Sequence, residues 1–187
     1  MLEDLERVLF TEDQIRLRIK ELAEEISRDY DGREVVLVTI LKGAVFFLTY
    51  LAQALTIPAR LDFLGIASFS PGRALPGVVD ISKDLDQDIH GMDVLLIEDI
   101  VETGLTLRYL LNVLSGRQPN SLEVCTFLDK AVRRLVDVPI KYRCFEIPDR
   151  FVVGFGLDYN ERYRTLSCLG ILKSQIYQKS QIYQGKS

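Results

Sequence analysis

Apolar residues along the chain fall into two periods. Ile15, Ile19, Leu22 and Ile26 recur at intervals of four, three and four, the stripe of an amphipathic helix. Thr11 followed by Gln14 has the form of a capping box, so that helix starts there and ends near Asp31-Gly32. From Val35 the pattern becomes an unbroken apolar run, VVLVTIL, which predicts a buried strand. A helix from Ala44 to about Thr56 and a strand RLDFLGIAS follow, with Pro58 between them. A second strand-helix-strand unit reads as DVLLIEDI (93–100), LTLRYLLNVLSG and SLEVCTFLDK, preceded by a short strand VVDIS. Two such units predict an α/β protein with a mostly parallel sheet flanked by helices. Past Lys130 the strands shorten to YRCFEI, FVVGFG and LGILK, separated by Pro148-Asp149 and DYNERYRTL.

The segment SFSPGRALPG (68–77) has two prolines, two glycines and no apolar period, and reads as a lid-like loop. KSQIYQ occurs twice in tandem, at 173–178 and 179–184. That unit is too short for a solenoid repeat, so 174–187 is expected to be a frayed tail outside a single domain spanning 1–173. Residues 35–55 are apolar enough to suggest a membrane span, but Lys42-Gly43 interrupts them and the two halves have different periods. The N-terminus, MLEDLERVLF, carries three acids and no long apolar core, unlike a signal peptide.

A length of 187 residues suits one domain, and 48% hydrophobic with 27% charged residues suits an ordinary globule. The net charge of −4 argues against a nucleic-acid partner, so an anionic ligand would have to be met locally. Cys125, Cys144 and Cys168 are widely spaced and form no Cys-x-x-Cys pair, which points to a reducing, cytoplasmic setting. The single histidine, His90, precedes Gly91 in a polar stretch and reads as a turn residue; its isolation excludes a His-x-x-x-His metal pair.

The segment richest in chemistry is IEDIVETGLTL, 97–107, in which an apolar strand ends in two acids and passes through a short loop into a helix. Open α/β sheets bind ligands at the carboxyl ends of their strands. Free N–H groups and the helix dipole would hold a phosphate at 102–106, with the Thr103 and Thr106 hydroxyls adding hydrogen bonds and Gly104 allowing close approach. Solvated acids and ordinary helix capping remain the structural alternative. No Gly-x-x-x-x-Gly-Lys run is present, and Gly154-Phe-Gly156 lacks a third glycine, so neither common nucleotide fingerprint applies.

This segment resembles the phosphoribosyl-pyrophosphate loop of type I phosphoribosyltransferases, and its surroundings resemble their hypoxanthine-guanine branch. The likeness runs over roughly residues 5–173, through TILKGAVFFL (39–48), GIASFS (65–70), TFLDKAVRR (126–134) and FEIPDRFVVGFGLDYNERYRTL (145–166). It implies that family's fold, with a small hood from about 1–30 and 145–173. It also implies Mg²⁺-dependent transfer of 5-phosphoribosyl to N9 of a 6-oxopurine, giving IMP or GMP in purine salvage. Substrate contacts are implied for the whole run Glu98, Asp99, Ile100, Val101, Glu102, Thr103, Gly104, Leu105 and Thr106. Glu98 and Asp99 would take the ribose hydroxyls and help hold magnesium, and Asp158 would hold a second magnesium. Lys42-Gly43 matches a loop that takes pyrophosphate through backbone N–H groups and often contains a non-proline cis peptide. Lys130 matches the lysine that donates to the purine 6-oxo group, Phe151 the aromatic that stacks on the base, and Val152 the backbone that reads its edge. Arg164 matches a guanidinium on the leaving group, so catalytic parts fall to Glu102, Arg164 and Lys42. A homodimer or homotetramer is implied as well.

The sequence departs from that pattern at Glu102, at Phe69 and at Asp80, which stands where bacterial relatives are expected to have a basic residue. Glu102 stands where the family usually has an aspartate acting on the purine N7 proton, and Ser68-Phe69 replaces a Ser-Tyr pair in the lid. Two alternatives stay open: a non-catalytic regulator that keeps the phosphate site, and a xanthine-preferring transferase. A decayed enzyme would have little reason to keep Lys42, Lys130, Asp158 and Arg164 together.

Overall fold

The computed structural model describes residues 1–67 and 80–178. Thr11 caps α1 (Glu12–Asp29) through the reciprocal bonds of a capping box with Gln14, and the chain leaves the helix through Gly32 at φ +71°. Next come β2 (Val35–Leu41), α2 (Val45–Ala54) and β3 (Ala59–Ala67), and β1 (Leu5–Phe10) precedes them all. Then follow β4 (Asp80–Lys83), β5 (Asp93–Val101), α3 (Leu105–Ser115), β6 (Ser121–Asp129), β7 (Tyr142–Glu146), β8 (Val152–Val153) and β9 (Leu169–Leu172).

Among the described residues six strands form the main sheet in the order β4-β3-β2-β5-β6-β7, parallel except for the edge strand β4. Alternation along the central strands separates its two faces. Val35, Leu37, Leu95 and Ile97 pack with α1 and α2 around Phe47 and Phe127. Val36, Val38, Val94 and Leu96 pack with Leu107, Leu110 and Leu114 of α3 on the other face. The chain leaves β2 towards β3 and leaves β5 towards β6, so the direction of winding reverses between β2 and β5. Their pairing stops at Thr39 and Ile97 although both strands continue, and a crevice opens at their carboxyl ends. Such a reversal is where open α/β sheets hold ligands.

A second, antiparallel sheet has the order β1-β9-β8 and lies over that end. Two sequence expectations differ from the structure here. FVVGFG is a strand only over Val152–Val153, because Gly154, Phe155 and Gly156 all take positive φ and turn the chain. The fraying expected from 174 onwards is not seen at 174–178, which form a helical turn with Ile176 and Tyr177 packed beside Leu5, Val153, Tyr163 and Leu172. The second repeat copy lies outside the described residues, as does the lid-like loop 68–77. No described helix is long and apolar enough to cross a membrane.

Candidate functional site

Strand β5 delivers Glu98, Asp99, Ile100 and Val101 to the crevice, and the chain then turns through Glu102 and Thr103 into α3. Gly104 caps that helix at φ +82°, a left-handed conformation that disfavours a side chain, and an added Cβ would also lie 2.9 Å from the Val136 carbonyl oxygen. The turn is braced from outside. Leu135 and Val136 donate their N–H groups to the Thr103 carbonyl at 3.0 and 3.2 Å, and Arg134 donates to the Glu102 carbonyl at 3.2 Å. The Thr103 hydroxyl accepts from the Leu105 N–H at 3.4 Å. A cavity of about 260 Å³ lies here, lined by Glu98, Ile100, Val101, Glu102, Thr103, Gly104, Thr106 and Leu107.

Glu98 is 8% exposed, and among the described residues nothing donates a hydrogen bond to its carboxylate. Burial pushes its carboxyl well above the usual carboxylate range, and the neighbouring Asp99 charge adds to this. Asp99 is also raised by burial, against the opposing pull of its bond from the Ile100 N–H at 2.7 Å and of Arg164. Glu98 is buried and Asp99 partly so, and neither forms a salt bridge among the described residues, so the pair is poised for a ligand that brings positive charge or hydroxyl donors.

Across the crevice, the Leu41–Lys42 peptide is cis, and Gly43 packs so tightly that an added Cβ would lie 1.9 Å from Asp99 Oδ2. A larger residue here would have to push the Asp99 carboxylate aside and would press on the Gly156 carbonyl oxygen, 3.2 Å from the added Cβ. The Lys42 ammonium points outward and pairs with Glu161 at 3.1 Å, which holds the Glu161 carboxyl below its ordinary range.

A neighbouring cavity of about 200 Å³ is lined by Asp99, Ile100, Glu102, Lys130, Phe151, Val152, Leu157, Asp158 and Arg164. Lys130 follows β6, is 6% exposed, and makes a close ion pair with Glu102. Its N–H donates to the Val101 carbonyl at 2.9 Å, which ties the end of β6 to that of β5. Phe151 immediately precedes β8, and its carbonyl accepts from the Leu172 N–H at 2.9 Å. Arg164 donates to the Gly156 carbonyl and to Asp158, each at 2.8 Å, while its Nε is buried without an acceptor among the described residues. Asp158 also accepts from the Glu161 N–H at 2.9 Å.

The family model for a phosphoribosyl transferase domain matches residues 9–160. The chain belongs to the phosphoribosyltransferase family. The hypoxanthine-guanine phosphoribosyltransferase of Mycobacterium tuberculosis is 48% identical over 94% of this chain and 90% of its own length. That of Streptococcus agalactiae is 45% identical over 96% of this chain and 100% of its own. The crystal structure of a hypoxanthine phosphoribosyltransferase from Staphylococcus aureus has a TM-score of 0.90 at 44% identity, covering 94% of this chain and 95% of that one.

The type I phosphoribosyltransferase fold expected from the sequence is therefore the fold observed. Its two cavities bring together Glu98 through Gly104 and Thr106 with Lys130, Phe151, Val152, Asp158 and Arg164; Lys42 and Gly43 stand at the crevice, with Gly43 against Asp99. Leu105 supplies the first residue of α3. Ser68 and Phe69 lie outside the described residues. Sequence reasoning passed over Glu161, which links Lys42 to Arg164, and Arg134, which braces the phosphoribosyltransferase turn. The charged run DYNERYR was the signal for the first, but charge alone does not say which acid faces the site.

Proposed function

We propose that this phosphoribosyltransferase acts in purine salvage, transferring 5-phosphoribosyl from phosphoribosyl pyrophosphate to N9 of hypoxanthine or guanine. One observation carries the reading: a buried lysine, a half-exposed carboxylate and an aromatic ring line a single cavity that adjoins a helix-capping phosphate turn. Lys130 donates to the 6-oxo oxygen and Glu102 takes the N7 proton, and the contact between the two side chains matches two adjacent atoms on the purine edge. Phe151 stacks on the base and Val152 reads its edge through the backbone. N9 bonds to C1′ as the C1′–O bond to pyrophosphate breaks. The N–H groups of 103–106 hold the 5-phosphate. Lys42-Gly43 takes pyrophosphate, and the unpartnered Arg164 Nε has its acceptor there.

Magnesium fits the donor set. Glu98 and Asp99 are hard oxygen ligands raised by burial, yet no group of three or more acidic, His or Cys side chains capable of holding a metal occurs among the described residues. Magnesium is commonly held by one or two carboxylates together with substrate phosphate oxygens, and Glu98 and Asp99 can supply those carboxylates. Glu98 and Asp99 would help hold one magnesium, and Asp158 a second. When bound, magnesium supplies charge neutralisation on the diphosphate. The three free cysteines, two of them buried, support a reducing cytoplasmic setting. A homodimer or homotetramer belongs to the same proposal, supported by the exposed side chains of Leu61, Val132 and Leu135.

A steady-state assay with phosphoribosyl pyrophosphate, Mg²⁺ and, in turn, hypoxanthine, guanine, xanthine and adenine tests the proposal. Nucleotide formation with hypoxanthine or guanine is expected. Preference for xanthine would move the assignment within the transferases, and donor binding without turnover of any base would replace it with a regulator.

A further inference from the structure

Phe151 makes two aromatic contacts that the reaction itself does not require. Its ring stacks on Tyr177 with centroids 5.0 Å apart and planes 20° from parallel, and Tyr159 meets it edge-on at 5.6 Å and 90°. Phe151 lines the proposed purine cavity, and Tyr177, which stacks on one face of its ring, is not among the lining residues. The tail is anchored where it begins. Leu172 donates to the Phe151 carbonyl at 2.9 Å, Lys173 donates to the Asp4 carbonyl at 3.0 Å, and the Ile176 N–H closes a turn onto the Lys173 carbonyl at 3.0 Å. That single turn returns the chain over the residue to which β9 is bonded, with Ile176 set into the apolar cluster around Leu5 and Tyr163.

From this we infer that Tyr177, in the first copy of the KSQIYQ repeat, is a positioning residue for the purine: it backs Phe151 so that the ring meets the base in one fixed orientation. The inference rests on the reading of Phe151 as the base-stacking residue. Phe151 is 38% exposed, and without the tyrosine its ring is free to turn on a backbone that stays pinned. Binding a purine would then have to order the ring as well as the base. Aromatic pairs of this kind shift an equilibrium by about two- to tenfold, and that is the expected rise in purine KM. Stacking takes the flat face of any purine, so hypoxanthine and guanine should suffer equally. The phosphoribosyl-pyrophosphate site lies on other residues, and its KM, like kcat, should hold.

The test compares Phe151→Ala, Tyr177→Ala and Tyr177→Phe in the full chain, with both Tyr177 variants also made alongside Tyr183→Ala so that the second copy cannot take the vacated place. The expected result is a raised purine KM for Phe151→Ala and Tyr177→Ala, parental values for Tyr177→Phe and for Tyr183→Ala alone, and an unchanged hypoxanthine-to-guanine ratio throughout. If Phe151→Ala raises the purine KM while Tyr177→Ala leaves it at the parental value in both backgrounds, the inference falls and the base-stacking reading survives. If Phe151→Ala itself leaves the purine KM unchanged, the base-stacking reading falls and takes the inference with it. A loss confined to kcat, or shared with the donor's KM, would show a structural role and overturn the inference.

Discussion

Replacing Lys130 by methionine removes the ammonium while keeping a flexible stem of similar length in a position that is 6% exposed. A hydrogen bond from a charged donor contributes about 1.5–3 kcal/mol. If Lys130 reads the purine 6-oxo group, kcat/KM for hypoxanthine and guanine should fall by about 10- to 150-fold. Stability should move far less. The partner carboxylate of Glu102 is 45% exposed and can be hydrated, so the lost ion pair costs at most about 1 kcal/mol. For a domain of this size that is about 2–4 °C in Tm. The assay is steady-state kinetics with each substrate varied in turn, beside a thermal melt of the same preparation. A raised KM for phosphoribosyl pyrophosphate with purine kinetics intact would refute the assignment. A drop in Tm well beyond the expected few degrees would mean that the Lys130 side chain serves to hold the Glu102 turn in place.

Glu102→Gln should lower kcat/KM by at least about tenfold, and by about 10²-fold or more if the full effect of general-base assistance is lost, with Tm within a few degrees of the parent; an unchanged rate would remove Glu102 from the proton transfer. Gly43→Ala places a methyl 1.9 Å from Asp99 Oδ2, and a displacement of about 1 Å at a reacting centre costs on the order of 10²-fold, so kcat/KM for the donor should fall by that order while purine KM holds. Raised carboxyls at Glu98 and Asp99 favour folding below their unfolded values of 4.5 and 3.8, and this contribution is lost as pH rises through the folded values. The Tm difference between parent and Glu98→Gln, measured without ligand from about pH 4 upwards, should therefore turn against the parent as pH rises, and parallel curves would contradict the burial argument.

Both strand-helix-strand units were legible because their periods are local: the capping box at Thr11 and the apolar runs from Val35 and Asp93 each mark their element within a few residues. Strand β1 was not. Only Leu5 in LERVLF is fully buried, and its pairing partner Leu172 lies at the other end of the chain, so no local alternation betrays it. The site divides in the same way. Glu98 to Thr106 stand in one contiguous run whose chemistry can be read directly, whereas the roles of Lys130, Phe151 and Arg164 came through resemblance, and the Lys130–Glu102 contact depends on β6 lying beside β5. Tyr177 was invisible for a third reason: a duplicated hexapeptide looks like a dispensable tail until its first copy is seen folded back on Phe151.

The proposed base slot has jaws that belong to different sheets. Ile100 stands on β5 of the large sheet, while Phe151 stands immediately before β8, a strand of the small sheet closed by β1 and β9. The gap between them works as a caliper set by two hydrogen-bond networks. None of the chain's first ten residues lines the cavity, yet Leu5–Phe10 pair with Leu169–Leu172, the strand with which β8 in turn pairs. Substitutions in that remote strand can thus retune how firmly a flat heterocycle is gripped while every residue in contact with it stays the same.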